Sequence, residues 1–142
     1  MNDIIKLWHE RARPEPTAEN FNVQLGCHFE EIWEMMDAME CDDVEVWMEA
    51  KLSIFTLSKL LKIGELKTTI FDRKEMLDSL ADQIVTSVGV GHCANMNIVE
   101  AVHRVNSSNW SKYNVDGKPI FNENGKIAKG PNYAPPDLEG LY

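Results

Sequence analysis

The 142-residue chain contains no run rich in lysine or arginine. Nucleic acids and anionic membrane surfaces are bound through a basic face, so neither is an expected partner. Cysteine is scarce: only Cys27, Cys41 and Cys93 are present. The number is odd and the spacings match neither a zinc pattern nor a redox pair, which points to reduced thiols in a cytoplasmic protein. The amino-terminal MNDIIKLWHERARPEP lacks the apolar centre of a signal peptide. Residues 83–99 are free of charge, but Gln83, Thr86, Ser87, His92, Asn95 and Asn97 interrupt them, so a buried helix is expected there and not a membrane span. There is no glycine-rich phosphate loop, no Ser/His/Asp or Cys/His arrangement and no internal repeat. His92-Cys93 lacks the further ligands of a zinc site.

What is present is an ordinary globular composition, 44% apolar and 26% charged, with a net charge of −9. The length suits one domain with a real core. The acidity is local. Residues 30–49 hold nine acids and no lysine or arginine. Seven carboxylates fall within residues 29–43, interleaved with Phe29, Ile32, Trp33, Met35, Met36 and Met39. Like charges three and four apart on a helix repel, so this crowding beside an apolar stripe calls for a reason.

Apolar periodicity predicts five helices. Ile4–Ala12 forms the first, stopped by Pro14 and Pro16. Thr17 resembles an N-cap, with Asn20 where a capping box usually has an acid. The second helix runs from Glu19 to about Met39, its stripe being Leu25, Phe29, Ile32, Met36 and Met39. A third spans Val44–Ile63, is apolar on more than one side, and has Gly64 as its stop. Asp72 opens a fourth that reaches about Asn95, and Asn97 caps a fifth from Ile98 to about Lys112. The last thirty residues differ, with four prolines and the turn signals Asp116-Gly117 and Asn124-Gly125. They suit an extended arm containing a short hairpin. The expected organisation is an all-α domain over residues 1–112, with an arm over 113–142 that packs on the domain or on a neighbouring subunit. The surplus apolar surface of the third helix suggests a homodimer or a dimer of dimers.

Two helices carry the chemistry. Glu30, Glu31 and Glu34 are neighbours at helical spacing on the second. Glu75, Asp78 and Asp82 line one stripe of the fourth, which continues into Val85 and Gly89. Acidic residues on helices usually form a solvated face. Two separate clusters beside apolar residues, with few lysines near, suit a hard cation such as Mg²⁺ instead.

The segment HFEEIWEM resembles the EExxE element of the all-α nucleoside triphosphate pyrophosphohydrolase superfamily, the MazG-like and phosphoribosyl-ATP pyrophosphohydrolase-like proteins. The likeness extends to a second acidic helix, Leu77-Asp78-Ser79-Leu80-Ala81-Asp82. It continues through the segment from His103 to Lys112 and a DGKP…GK…KGPNY.PPDL tail, covering residues 24–138 and resembling phage and bacterial members most. A short EExxE alone is weakly specific; its combination with that tail is not.

The resemblance implies a MazG-like helical bundle of about five helices. It also implies an enzyme that cleaves a nucleoside triphosphate between its α and β phosphates, giving the monophosphate and pyrophosphate, in nucleotide-pool control. Glu31, Glu34, Asp78 and Asp82 would hold Mg²⁺, or Mn²⁺ in its place. Glu30 would be a further ligand or orient the attacking water. With Asp82 as the aspartate of the family's ExxD element, Ser79 stands at its glutamate position; a literal ExxD occurs one turn earlier as Glu75-Met76-Leu77-Asp78. The ligand pair is therefore either Asp78 with Asp82, which the LADQIV context favours, or Glu75 with Asp78. Asn109 and Lys112 match the family's phosphate-facing Asn-x-x-Lys. Lys126 and Lys129 are candidates for the outer phosphates, and His28 for a phosphate or base. Trp33, Trp47 and Trp110 are read as core or interface residues, with Trp110, beside Asn109, the one placed to stack on a base. The competing readings are a nucleotide-binding protein on the same fold without turnover and a phosphoribosyl-ATP enzyme. A phage-encoded protein would act in the host cytoplasm.

Overall fold

The computed structural model describes residues 2–142. Its five helices are α1 (Asn2–Ala12), α2 (Ala18–Asp37), α3 (Val44–Lys62), α4 (Arg73–Cys93) and α5 (Ile98–Trp110). No β-strand forms among the described residues, so the fold is all-α as the periodicity requires. No helix among them is long and apolar enough to cross a membrane. The chain divides into two compact units, and the segment after α5 contributes to both.

One unit comprises residues 15–69 and 121–126 and is built on α2 and α3. Thr17 caps α2 through a complete capping box. Its hydroxyl accepts from the Asn20 amide, and the Asn20 side chain accepts from the Thr17 amide. An uncharged amide thus performs the reciprocal role usually given to Glu or Gln. Asp43 caps α3, and Gly64 follows its C-cap Ile63 with φ of +76°. The two helices run antiparallel, because Gly26 meets Ser58 near one end and Asp37 pairs with Lys51 near the other. They approach closely at Gly26. A Cβ there would lie 2.9 Å from the Ser58 carbonyl oxygen, and the Ser58 hydroxyl donates to the Gly26 carbonyl at 2.8 Å. Leu61 is completely buried, and Val23 and Met36 are buried as well. The loop after α3 is tied back to α2 by Asn22, whose Oδ1 accepts from both the amide and the hydroxyl of Thr68.

The other unit comprises residues 2–14, 70–120 and 127–142 and contains α1, α4 and α5. Its buried cluster is Trp8, Ala12 and Tyr113, with Trp110 and Ile127 packed against it. The rings of Trp8 and Tyr113 stack with centroids 5.9 Å apart. Tyr113 donates its hydroxyl to the Trp8 carbonyl at 2.6 Å, and burial pushes that phenol's pKa up against the opposing charge of Arg11. The carboxyl-terminal arm lies along α5. Ser108 donates to the Ala134 carbonyl, Arg104 to that of Asp137, and the Asn97 amide to that of Leu141.

One expectation is corrected here. Residues 83–99 were expected to be a buried helix, but in α4 only Gly91 is buried. Val85, predicted not to be a surface residue, is 68% exposed. The lack of charge in this segment therefore does not mark a core.

Candidate functional site

The site is built from α2 upward. Gly26 has no side chain, and this leaves a passage for the stem of Lys62, whose Cγ would lie 2.7 Å from a Cβ at Gly26. The stem crosses α2 there and its ammonium continues one turn along α2 to Glu30, where Nζ donates to Oε1 at 2.6 Å. The other carboxylate oxygen of Glu30 accepts from Lys126 Nζ at 2.5 Å. Lys126 is placed by the turn after Asn122, whose side chain accepts from the amides of Asn124 and Lys126. Glu30 is therefore a half-buried carboxylate between two ammonium groups, one from the end of α3 and one from a turn 96 residues away.

The electrostatics follow from that geometry. Burial alone would raise the pKa of Glu30. The hydrogen bonds and charges of Lys126 and Lys62 outweigh it and hold the carboxyl below its ordinary range. Burial would likewise lower Lys126. Its bond to Glu30 and the nearby Cys27, Glu30 and Glu31 carry its pKa upward instead. Glu31 is thus close enough to the Lys126 ammonium to be felt by it. Glu31 and Glu34 are exposed on α2, three residues apart. Their carboxylate oxygens are the donor type that Mg²⁺ prefers, and they are accessible to an ion with its water.

The remaining sequence-predicted residues are distributed as follows. His28 is half-buried on α2, its ring 6.3 Å from that of Phe29. Glu75, Asp78 and Asp82 are exposed on α4, in the other unit. In that unit Asn109 is half-buried, and its carbonyl accepts from the Trp8 indole at 3.0 Å. Lys112 Nζ stands 6.0 Å from the Trp8 ring centroid, and Lys129 Nζ lies 4.7 Å over the ring of Tyr133. Among the described residues no group of three or more His, Cys, Asp or Glu side chains is gathered as a metal cluster. The structure brings together Glu30, Glu31 and Lys126 from the predicted set and adds Lys62, which the sequence reading missed. The available signal was a lysine in the last turn of α3, but its partner depends on Gly26, a contact that no periodicity reveals.

Beside this ion-pair cluster, Trp33 and Phe55 face each other with ring centroids 5.3 Å apart at 51°. With Glu30, Ser58, Lys59 and Lys62 they line a cavity of about 210 Å³. A larger and more open cavity of about 810 Å³ lies between the start of α2, the end of α3 and the turn over Asn122–Gly125, and it too borders Lys62. The chain matches no protein-family model, no curated protein and no solved structure.

Proposed function

We propose that the protein is a Mg²⁺-dependent nucleoside triphosphate pyrophosphohydrolase, releasing a nucleoside monophosphate and pyrophosphate and acting in nucleotide-pool control. The observation that carries this reading is the arrangement on α2. Exposed Glu31 and Glu34 stand next to a carboxylate that holds two lysines in fixed positions. The likeness of HFEEIWEM, the second acidic helix and the tail to the MazG-like superfamily supports it. Glu31 and Glu34 on α2 are the residues that would hold the metal; the likeness assigns the same role to Asp78 with Asp82, or to Glu75 with Asp78. The bound ion would neutralise phosphate charge and lower the pKa of an attacking water.

The chain's own contribution is positioning. Lys126 supplies positive charge for the outer phosphates, and Lys129, Asn109 and Lys112 are the further candidates for contacting the phosphate chain. Glu30, kept ionised and bonded to two lysines, is a weaker base than an ordinary glutamate, so its positioning of Lys126 is the role its surroundings favour.

A nucleotide-binding protein without turnover is the second reading, favoured by Ser79 where the family has glutamate. Self-association belongs to either reading. Exposed Leu77, Ile84, Val85 and Val90 on α4, and Val46, Met48 and Leu52 on α3, are apolar surface that a second copy would cover. The test is a panel of ribo- and deoxynucleoside triphosphates, with and without Mg²⁺, assayed for both products. Monophosphate and pyrophosphate in equal amounts, only with metal, are expected. Nucleotide binding with no product from any member would move the conclusion to the second reading.

A further inference from the structure

The cavity between α2 and α3 combines two chemistries seldom placed together by a helical core. Its wall is the Trp33–Phe55 pair, and its rim carries the cations Lys59 and Lys62 with Glu30. Phe55 is 42% exposed, so its ring is not consumed by packing. At about 30 Å³ per water in the liquid, 210 Å³ has room for roughly seven waters. A planar heterocycle fits that space, whereas a whole nucleoside triphosphate does not. Its phosphates would have to lie at the rim, where the lysines stand. The two aromatic centroids are 5.3 Å apart. A ring inserted between them would need about 7 Å, two contact distances of about 3.5 Å. An incoming ring therefore lies against the outer face of the pair. Lys62 is held at this rim by Glu30, and Lys59 lies one turn earlier on the same face of α3.

We propose that this pocket is a nucleotide subsite, in which the base stacks on the exposed ring of Phe55, backed by Trp33, and an anionic group meets Lys59 and Lys62. The inference rests on the nucleotide reading above and adds the residues that recognise the base. The sequence points to neither residue in this role: Trp33 suits a core or interface position, yet its neighbours include the exposed ring of Phe55 and, across the cavity, two lysines.

The test is calorimetry on the full chain with the four common nucleoside monophosphates and with inorganic tripolyphosphate, which has no base. At least one monophosphate is expected to bind. Phe55→Ala should weaken it about tenfold and leave tripolyphosphate unchanged, Phe55→Tyr should restore the loss, and Phe55→Leu should not. Lys59→Gln should weaken both ligands. Sedimentation of the same variants separates stacking from packing: unchanged nucleotide affinity in Phe55→Ala with an altered association state makes Phe55 a contact between copies and overturns the proposal. Absence of monophosphate binding by the wild-type chain overturns it too. Triphosphate turnover is scored separately. Turnover with an unchanged KM in Phe55→Ala removes the subsite and leaves the enzyme, whereas base-dependent binding without turnover keeps the subsite and removes the enzyme.

Discussion

Helices α2 and α4 have 20 and 21 residues and carry five and three carboxylates, with Glu30, Glu31 and Glu34 on one and Glu75, Asp78 and Asp82 on the other at helical spacing, yet they live in different surroundings. α2 buries Asn22, Val23, Gly26 and Met36, and one of its acids is fixed by two lysines. α4 buries only Gly91, and Glu75, Asp78 and Asp82 stand in solvent beside exposed Leu77, Val85 and Val90. The difference shows what organises charge on a helix. Spacing along α2 makes its glutamates neighbours. The close approach of α3 at Gly26 supplies the cation that gives Glu30 a fixed orientation. α4 has the spacing, and its three acids are exposed.

The largest contrast expected is in stability. Leu61→Ala removes a side chain with no exposure and should cost about 2–5 kcal/mol in urea unfolding. Leu77→Ala on α4, where the residue is 70% exposed, should cost under about 1 kcal/mol in dilute protein. A cost for Leu77→Ala that grows with protein concentration would be the sign of a second copy covering α4.

Glycine substitutions should move in opposite directions. Gly26→Val puts a side chain against Lys62 and the Ser58 carbonyl and should destabilise by about 1–3 kcal/mol. Gly89→Ala, with nothing within 4 Å of the added carbon, should stabilise by up to about 1 kcal/mol through helix propensity. Gly26→Val should also free Lys62 from Glu30, seen as a change in the Lys62 side-chain resonance by NMR.

Glu30→Gln should cost about 1–2 kcal/mol, less than Leu61→Ala, because the pairs it breaks are only partly buried. Its pH dependence has a definite sign. The folded-state pKa of Glu30 is depressed, so its contribution is present above the unfolded value near 4.5 and is lost as pH falls through the folded value. The folded-state pKa of Lys126 is raised, so its contribution is present below 10.5 and is lost as pH rises through the folded value. The gap between wild type and Glu30→Gln should therefore stay level between those limits. It should narrow as acid protonates Glu30.

Much of the helix pattern was legible because its signals are local. Thr17, Asp43, Asp72 and Asn97 each accept a hydrogen bond from a backbone amide in the first turn of the helix they cap. The Asn124-Gly125 turn forms where its dipeptide predicts. The arm's course along α5 was legible only as a choice between the domain and a neighbour, since Ser108 and Arg104 give no sign of the carbonyls they will meet. Glu30 was legible as a candidate. Its two lysines were not, because one arrives through the steric gap at Gly26 and the other from a turn far along the chain. The exposure of α4 was misread because an uncharged helix looks alike whether it is covered by its own chain or awaits another surface.

The most direct test is pyrophosphate release from a nucleoside triphosphate, titrated with Mg²⁺, in the wild type, Glu34→Gln on α2 and Asp78→Asn on α4. If the carboxylates of each helix bind metal, each substitution should lower release at least a hundredfold, and added Mg²⁺ should restore part of the loss. Release that continues unchanged in both variants, or that needs no metal, would contradict a carboxylate-bound cation and return these acids to the solvated surface.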